Sequence, residues 1–219
     1  MTLKLNISGK AYKEFYGRNT EQMPKLVADG RVPMSVAQLM QKRLDVKNSD
    51  EEVKSFYMDN YFNTGDAVFY HPDGRSKIVL DSQHVRDMSL ESPLEAGCLV
   101  LTEDVYNDLE GEEFKRGNFG KWLSKEDVKS NPILKVLARD QILLDDYTDY
   151  IFAEGKEKFG YNTAMGVYPG SVNGTCGDIP KMGTWLFNRL SQGSSIHGGG
   201  AIGAQYGRLL GIASEVLSE

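Results

Sequence analysis

The densest chemical signal in the sequence is Ser194-Ser195-Ile196-His197-Gly198-Gly199-Gly200-Ala201-Ile202-Gly203. Gly198, Gly200 and Gly203 match G-x-G-x-x-G, a spacing that lets backbone N–H groups approach an anion closely. Ala201 to Leu210 reads as a helix whose amino end would face this loop, with Arg208 the nearest fixed positive charge. A small anionic ligand would therefore meet His197, Gly198, Gly199, Gly200 and Arg208, the ligand-binding set expected from the sequence. Dinucleotide binding is excluded: such a fold needs an acidic residue about 20 positions after the motif, and only 16 residues follow Gly203.

His197-Gly-Gly-Gly also has the composition of an esterase oxyanion loop, but the matching G-x-S-x-G elbow is missing. Gly170-Ser171-Val172-Asn173-Gly174 places its serine directly after the first glycine. No nucleophile, base and orienter can be assigned together, so catalytic residues stay unassigned. A hydrolase-like alternative requires residues that meet only in space, for instance Asp178 and His197. His71, Asp73, Asp81 and His84 do not have a recognised ligand spacing, so no metal is expected there, and the cofactor stays unknown. Adjacent acids such as Asp145-Asp146 or Glu112-Glu113 would point about 100° apart on a helix and read as solvated surface.

Charge is divided along the chain. Residues 1–47 carry nine Lys/Arg against four Asp/Glu (+5), residues 48–154 carry 11 against 23 (−12), and residues 155–219 carry five against four (+1), giving −6 in all. The acidic middle repels phosphate backbones, so nucleic-acid binding is an unfavoured reading confined to residues 10–43. There, two helices on either side of Asp29-Gly30 would have a helix-turn-helix layout, with Gln38, Gln41, Lys42 and Arg43 on the second. Tyr12, Phe15 and Tyr16 could alternatively stack on bases. No apolar run reaches the roughly 20 residues that span a bilayer, and Met1 to Asn6 does not begin a signal core, so no membrane association is expected. Cys98 and Cys176 are too few for a disulfide scaffold, which fits a reducing, cytoplasmic setting.

The elements that must position these residues follow from periodicity and caps. Leu3, Leu5 and Ile7 alternate as in a half-buried strand. Thr20 to Ala28 reads as a helix with Pro24 in its first turn, and Ser35 caps a second through Leu44. Ser49 and Glu52 open a third whose apolar face runs to Phe62, ending near Gly65. Ala67–Tyr70 and Lys77–Leu80 flank His71-Pro72-Asp73-Gly74, a hairpin over about 67–80. Cys98 to Leu101 reads as a buried strand, with Thr102 capping a short helix. Asn131-Pro132 introduces one long helix from Ile133 to about Glu154. Beyond Gly155 the glycines crowd: 14 of 23 lie between Gly155 and Gly211.

The expected architecture is one α+β domain over 1–219. It has a small sheet, including the antiparallel hairpin, covered by helices, and an irregular loop-rich lobe over about 155–219. The expected function is binding or interaction, with that lobe contacting a protein partner, a second copy of the chain or the small anion.

Overall fold

The computed structural model describes residues 11–115, 122–168, 177–199 and 202–213. The strand expected on Leu3, Leu5 and Ile7, the Gly170–Gly174 segment, Cys176 and Gly200 lie outside the described residues.

The first part of the chain contains β1 (Tyr12–Tyr16), α1 (Asn19–Ala28), β2 (Arg31–Pro33), α2 (Val36–Asp45), α3 (Glu51–Met58), β3 (Phe62–Tyr70) and β4 (Arg75–Val79). There follow α4 (Gln83–Arg86), β5 (Leu94–Glu95), β6 (Cys98–Val100), α5 (Glu103–Asp108), β7 (Glu112–Lys115), α6 (Lys125–Ser130), α7 (Pro132–Ala138) and α8 (Gln141–Phe159). The last part adds β8 (Val167–Tyr168), β9 (Lys181–Phe187), a 3-10 turn (Leu190–Gln192), β10 (Ile196–His197) and β11 (Arg208–Ala213).

All eleven strands join one mixed sheet, whose main path runs β1-β11-β3-β9-β10-β8. The small helix-covered sheet expected from the sequence is therefore not the fold. The β3–β4 hairpin is present, with Ala67 opposite Val79 and Tyr70 opposite Ser76, but it is one limb of a much larger sheet. The glycine-rich stretch is not an irregular lobe either, because it supplies β8 to β11, which complete the sheet. The helix expected over Ala201–Leu210 is replaced by β11, which lies between β1 and β3.

Alternation along the central strands explains how this sheet is buried on both sides. Val68 and Tyr70 of β3, Trp185 of β9 and Leu210 of β11 belong to a core shared with α2, α3, α7 and α8. Their neighbours Ala67, Phe69, Met182 and Leu209 belong to a second core with Met23 and Leu26 of α1, Val85 of α4 and Ile202. Successive strand residues point to opposite faces, so these are the two covered faces of one sheet. A strand buried on both sides reads as a continuous apolar run and gives no alternation to recognise.

Local chemistry sets the helix boundaries. Ser35 and Gln38 form a capping box on α2, and Asn131 caps α7 with Pro132 at its first position. The expected long helix is two, because Arg139 adopts φ 63° at the end of α7 and Asp140 caps α8. The break is fixed by ion pairs: Arg139 reaches buried Asp66 at 2.7 Å and Asp81 at 2.6 Å. α8 continues past Gly155 to Phe159 and stops at Gly160, φ 71°. Pro24 lies in the interior of α1, since that helix starts at Asn19, and Phe62 begins β3 after α3 has ended at Met58. Among the described residues no helix is long and apolar enough to cross a membrane.

Candidate functional site

Strand pairing brings scattered residues to one end of the sheet. Tyr16 is opposite Arg208, Leu209 pairs with Asn63, Phe62 and Ile196 both face Phe187, and Ile196 faces Val167. Tyr16, Tyr206 with Arg208, Tyr61, Asn188 with Arg189, Ser195 and Gly166 therefore share this end, although they span residues 16 to 208. We refer to it as the rim.

Aromatic and arginine side chains dominate the rim. Tyr206 is 63% exposed and Tyr16 40% exposed, while the Tyr61 hydroxyl donates to the Tyr206 carbonyl. Burial raises the Tyr61 phenol above its ordinary value, reinforced by the Tyr16 phenol and opposed by Arg208 and Arg189. Arg208 lies buried beneath: its Nε is 3.0 Å from Glu14 Oε1, and its guanidinium is 5.4 Å from the Tyr16 ring and 5.6 Å from that of Phe56. It supports the tyrosines from below, as a paired arginine packed on aromatic faces does.

Past the β9–β10 turn the rim continues as a second aromatic group. Phe159 stacks on Tyr161 at 5.3 Å, Trp122 lies 6.5 Å from Tyr161, and the Tyr161 hydroxyl donates to Ser191 O at 2.9 Å. Gly193 adopts φ 60°, and a Cβ on it would come within 2.0 Å of the Trp122 ring. Only glycine combines that backbone with so close an aromatic neighbour.

The rim backbone rests on Arg43, which is fully buried. Its guanidinium donates to Tyr57 O at 2.9 Å, Asn60 O at 3.3 Å and Asn188 O at 2.9 Å. It also reaches the Tyr147 hydroxyl at 2.9 Å and Ser194 Oγ at 3.1 Å, over the Phe187 ring at 4.3 Å. A buried charge needs this many acceptors to replace water. One side chain from α2 thus pins the turns on which Tyr61 and Arg189 sit.

The sequence-predicted residues are distributed as follows. His197 is half-buried on β10, its ring stacked on Tyr168 at 4.5 Å and its Nε2 3.0 Å from Ser195 Oγ, which also accepts from Asn188 Nδ2 at 3.1 Å. Burial holds the imidazole below its ordinary value. The Gly198 N–H donates to Tyr168 O at 2.7 Å and its carbonyl accepts from Tyr70, so both backbone groups are engaged within the protein. Gly199 follows it at the opposite end of β10 from the rim. Arg208 is not beside them, because β3 and β9 separate β11 from β10. At about 4.8 Å per strand that is roughly 14 Å.

Asp178 and His197 are not brought together either. His197 faces Leu186, whereas Asp178 precedes Lys181 at the far end of β9, roughly 16 Å of strand away. Among the described residues no group of three or more His, Cys, Asp or Glu could hold a metal. His71 instead sits between Asp73 and Glu103 at 2.7 and 2.8 Å, and His84 packs on Phe69. The helix-turn-helix layout is interrupted by β2, which pairs with β11. Arg43, a groove-contacting candidate in that layout, points into the core. Sequence reasoning missed Tyr61, Tyr206, Arg189, Trp122 and Tyr161 as a group, since only strand register and contacts between distant segments connect them.

No protein-family model matches this chain, and no curated protein is similar to it in sequence. A solved structure described as "Accommodation of massive sequence variation in Nanoarchaeota by the C-type lectin fold" superposes with a TM-score of 0.67. The match covers 94% of this chain and 99% of that one at 15% identity, so the likeness is one of fold.

Proposed function

We propose that the protein is a binding protein that engages another protein through the rim. The observation that carries this reading is the gathering of Tyr16, Tyr61, Tyr206 and Arg189, continued by Trp122, Tyr161 and Phe159, at one end of a rigid sheet. Tyr, Trp and Arg are the side chains that dominate recognition surfaces: Tyr and Trp offer a large contact area with few rotamers to freeze and a polar group at the tip, and Arg adds a planar head with five N–H donors.

The fold likeness supports the same reading. The similar structure is described as one in which the C-type lectin fold accommodates sequence variation. In this chain the exposed rim side chains make few core contacts, while buried Arg43 holds the backbone beneath them. Such a division lets rim residues set specificity without setting stability. Within this reading Arg208 orients the tyrosines, and His197 to Gly199 brace the β9–β10–β8 edge. Of the expected partners, a protein is favoured over a small anion, because the Gly198 N–H is already occupied.

The test is a triple variant, Tyr16→Ala, Arg189→Ala and Tyr206→Ala. It should keep the thermal midpoint of the parent chain and lose retention on an arrayed panel of purified proteins and peptides that the parent chain binds. Undiminished retention by the triple variant overturns the reading. A second copy of the chain as the partner would appear as concentration-dependent self-association that the same variant abolishes.

A further inference from the structure

We infer that the partner of the rim presents an acidic segment, with Asp or Glu carboxylates beside an apolar or aromatic side chain; this rests on the rim being the binding surface. The chain carries 31 acids and 25 Lys/Arg, yet among the described residues of the rim turns the exposed charges, Arg18 and Arg189, are positive, while Glu14, Glu21 and Asp59 are half-buried. Arg189 is exposed and forms no ion pair with any described residue. Arg18, at the turn leaving β1, meets only Glu21 among the described residues, at 3.9 Å, with its own side chain well exposed. Arg208 is neutralised from within by Glu14. The acids nearest in sequence on the other rim turns reduce to Asp59, half-buried at the end of α3.

Two arginines in an aromatic setting have a specific chemical preference. A planar guanidinium receives a carboxylate through two parallel N–H donors, and its flat faces tolerate aromatic neighbours. The phenols of Tyr16 and Tyr206 add hydroxyl donors, and their rings provide apolar area beside the charges. A polyanion is a poorer fit. It would need several phosphate contacts, whereas the rim offers two arginines on a chain of net charge −6, whose acidic remainder repels a long anionic backbone.

The probe is a bead-displayed library of random nonapeptides, selected on the full chain at low and at moderate salt. The expected result is enrichment of sequences pairing Asp or Glu with an apolar or aromatic residue. Their binding should fall about tenfold or more with Arg189→Glu and recover when the peptide acids are exchanged for Lys. Enrichment of neutral or basic sequences, or no enrichment, overturns the inference, as does tighter binding of heparin or single-stranded DNA than of any selected peptide. The reading beneath it fails separately: peptides that bind the Tyr16→Ala/Tyr206→Ala double variant as well as the parent do not use the rim.

Discussion

Arg43 of α2 donates from Nη2 to the carbonyl of Asn188 at 2.9 Å, joining a helix to the strand turn that carries Arg189 across 145 residues of sequence. No carboxylate takes part in its hydrogen bonds to Tyr57, Asn60, Asn188, Tyr147 and Ser194. Among the described residues the charge is met by neutral hydrogen-bonding dipoles and by the face of the Phe187 ring.

Truncating this side chain strands three buried carbonyls at once. Arg43→Ala should lower the unfolding free energy by about 3–5 kcal/mol, the range for breaking a buried charged network, read from urea denaturation. Arg43→Lys, whose point-like ammonium cannot reach all five acceptors, should recover only part of it. A loss below about 1 kcal/mol for Arg43→Ala would show that the network does not hold the turns.

Gly193 makes a prediction of a different kind. Gly193→Ala forces a Cβ into the Trp122 ring and into a left-handed backbone, at a cost of about 1–3 kcal/mol. Tryptophan emission should shift to the red as Trp122 swings outward. Of the two tryptophans, Trp185 is fully buried and serves as the unshifted internal reference.

Rim side chains should behave oppositely. Tyr206→Ala and Arg189→Ala each remove an exposed side chain and should leave stability within about 0.5 kcal/mol of the parent. Each should still weaken partner binding by about 1–2 kcal/mol or more. Equal losses of stability and binding would assign these residues to the scaffold.

His197 gives the fold a dependence on pH. Burial sets its pKa below the unfolded value of about 6.5, so the unfolded chain takes up a proton first as pH falls. The stability tied to the neutral imidazole is complete above that value and is lost as pH drops through the lower, folded one. His197→Gln should flatten the pH profile of the melting midpoint between about pH 7 and 5. An unchanged profile would place the titration elsewhere.

What the sequence made legible was local. The caps at Ser35, Thr102 and Asn131 and the turn at His71–Gly74 depend on residues within a few positions of one another, and each is where the spacing puts it. The sheet was not legible. β9 is buried along nearly its whole length although it includes Lys181, Gly183 and Thr184, so it shows no alternation, and β8, β10 and β11 are short or glycine-bearing segments that exist because distant strands pair with them. The break at Arg139 comes from Asp66 and Asp81, more than fifty residues earlier. The rim was hidden for the same reason: Tyr16 and Arg208 drew attention separately, and only the register places them opposite one another.

The position of β11 has a consequence for how the chain is made. The last described strand in sequence is inserted between β1 and β3, both within the first third of the 219 residues. While residues 208–213 are still within the ribosome, β1 lacks its main-path neighbour and an edge of β3 stands open. The nascent chain must carry two unfinished apolar surfaces until β11 emerges. Such late, long-range closure is slow and exposed to wrong pairing, so refolding from urea should be strongly concentration-sensitive, and chaperone demand should fall once β11 has emerged.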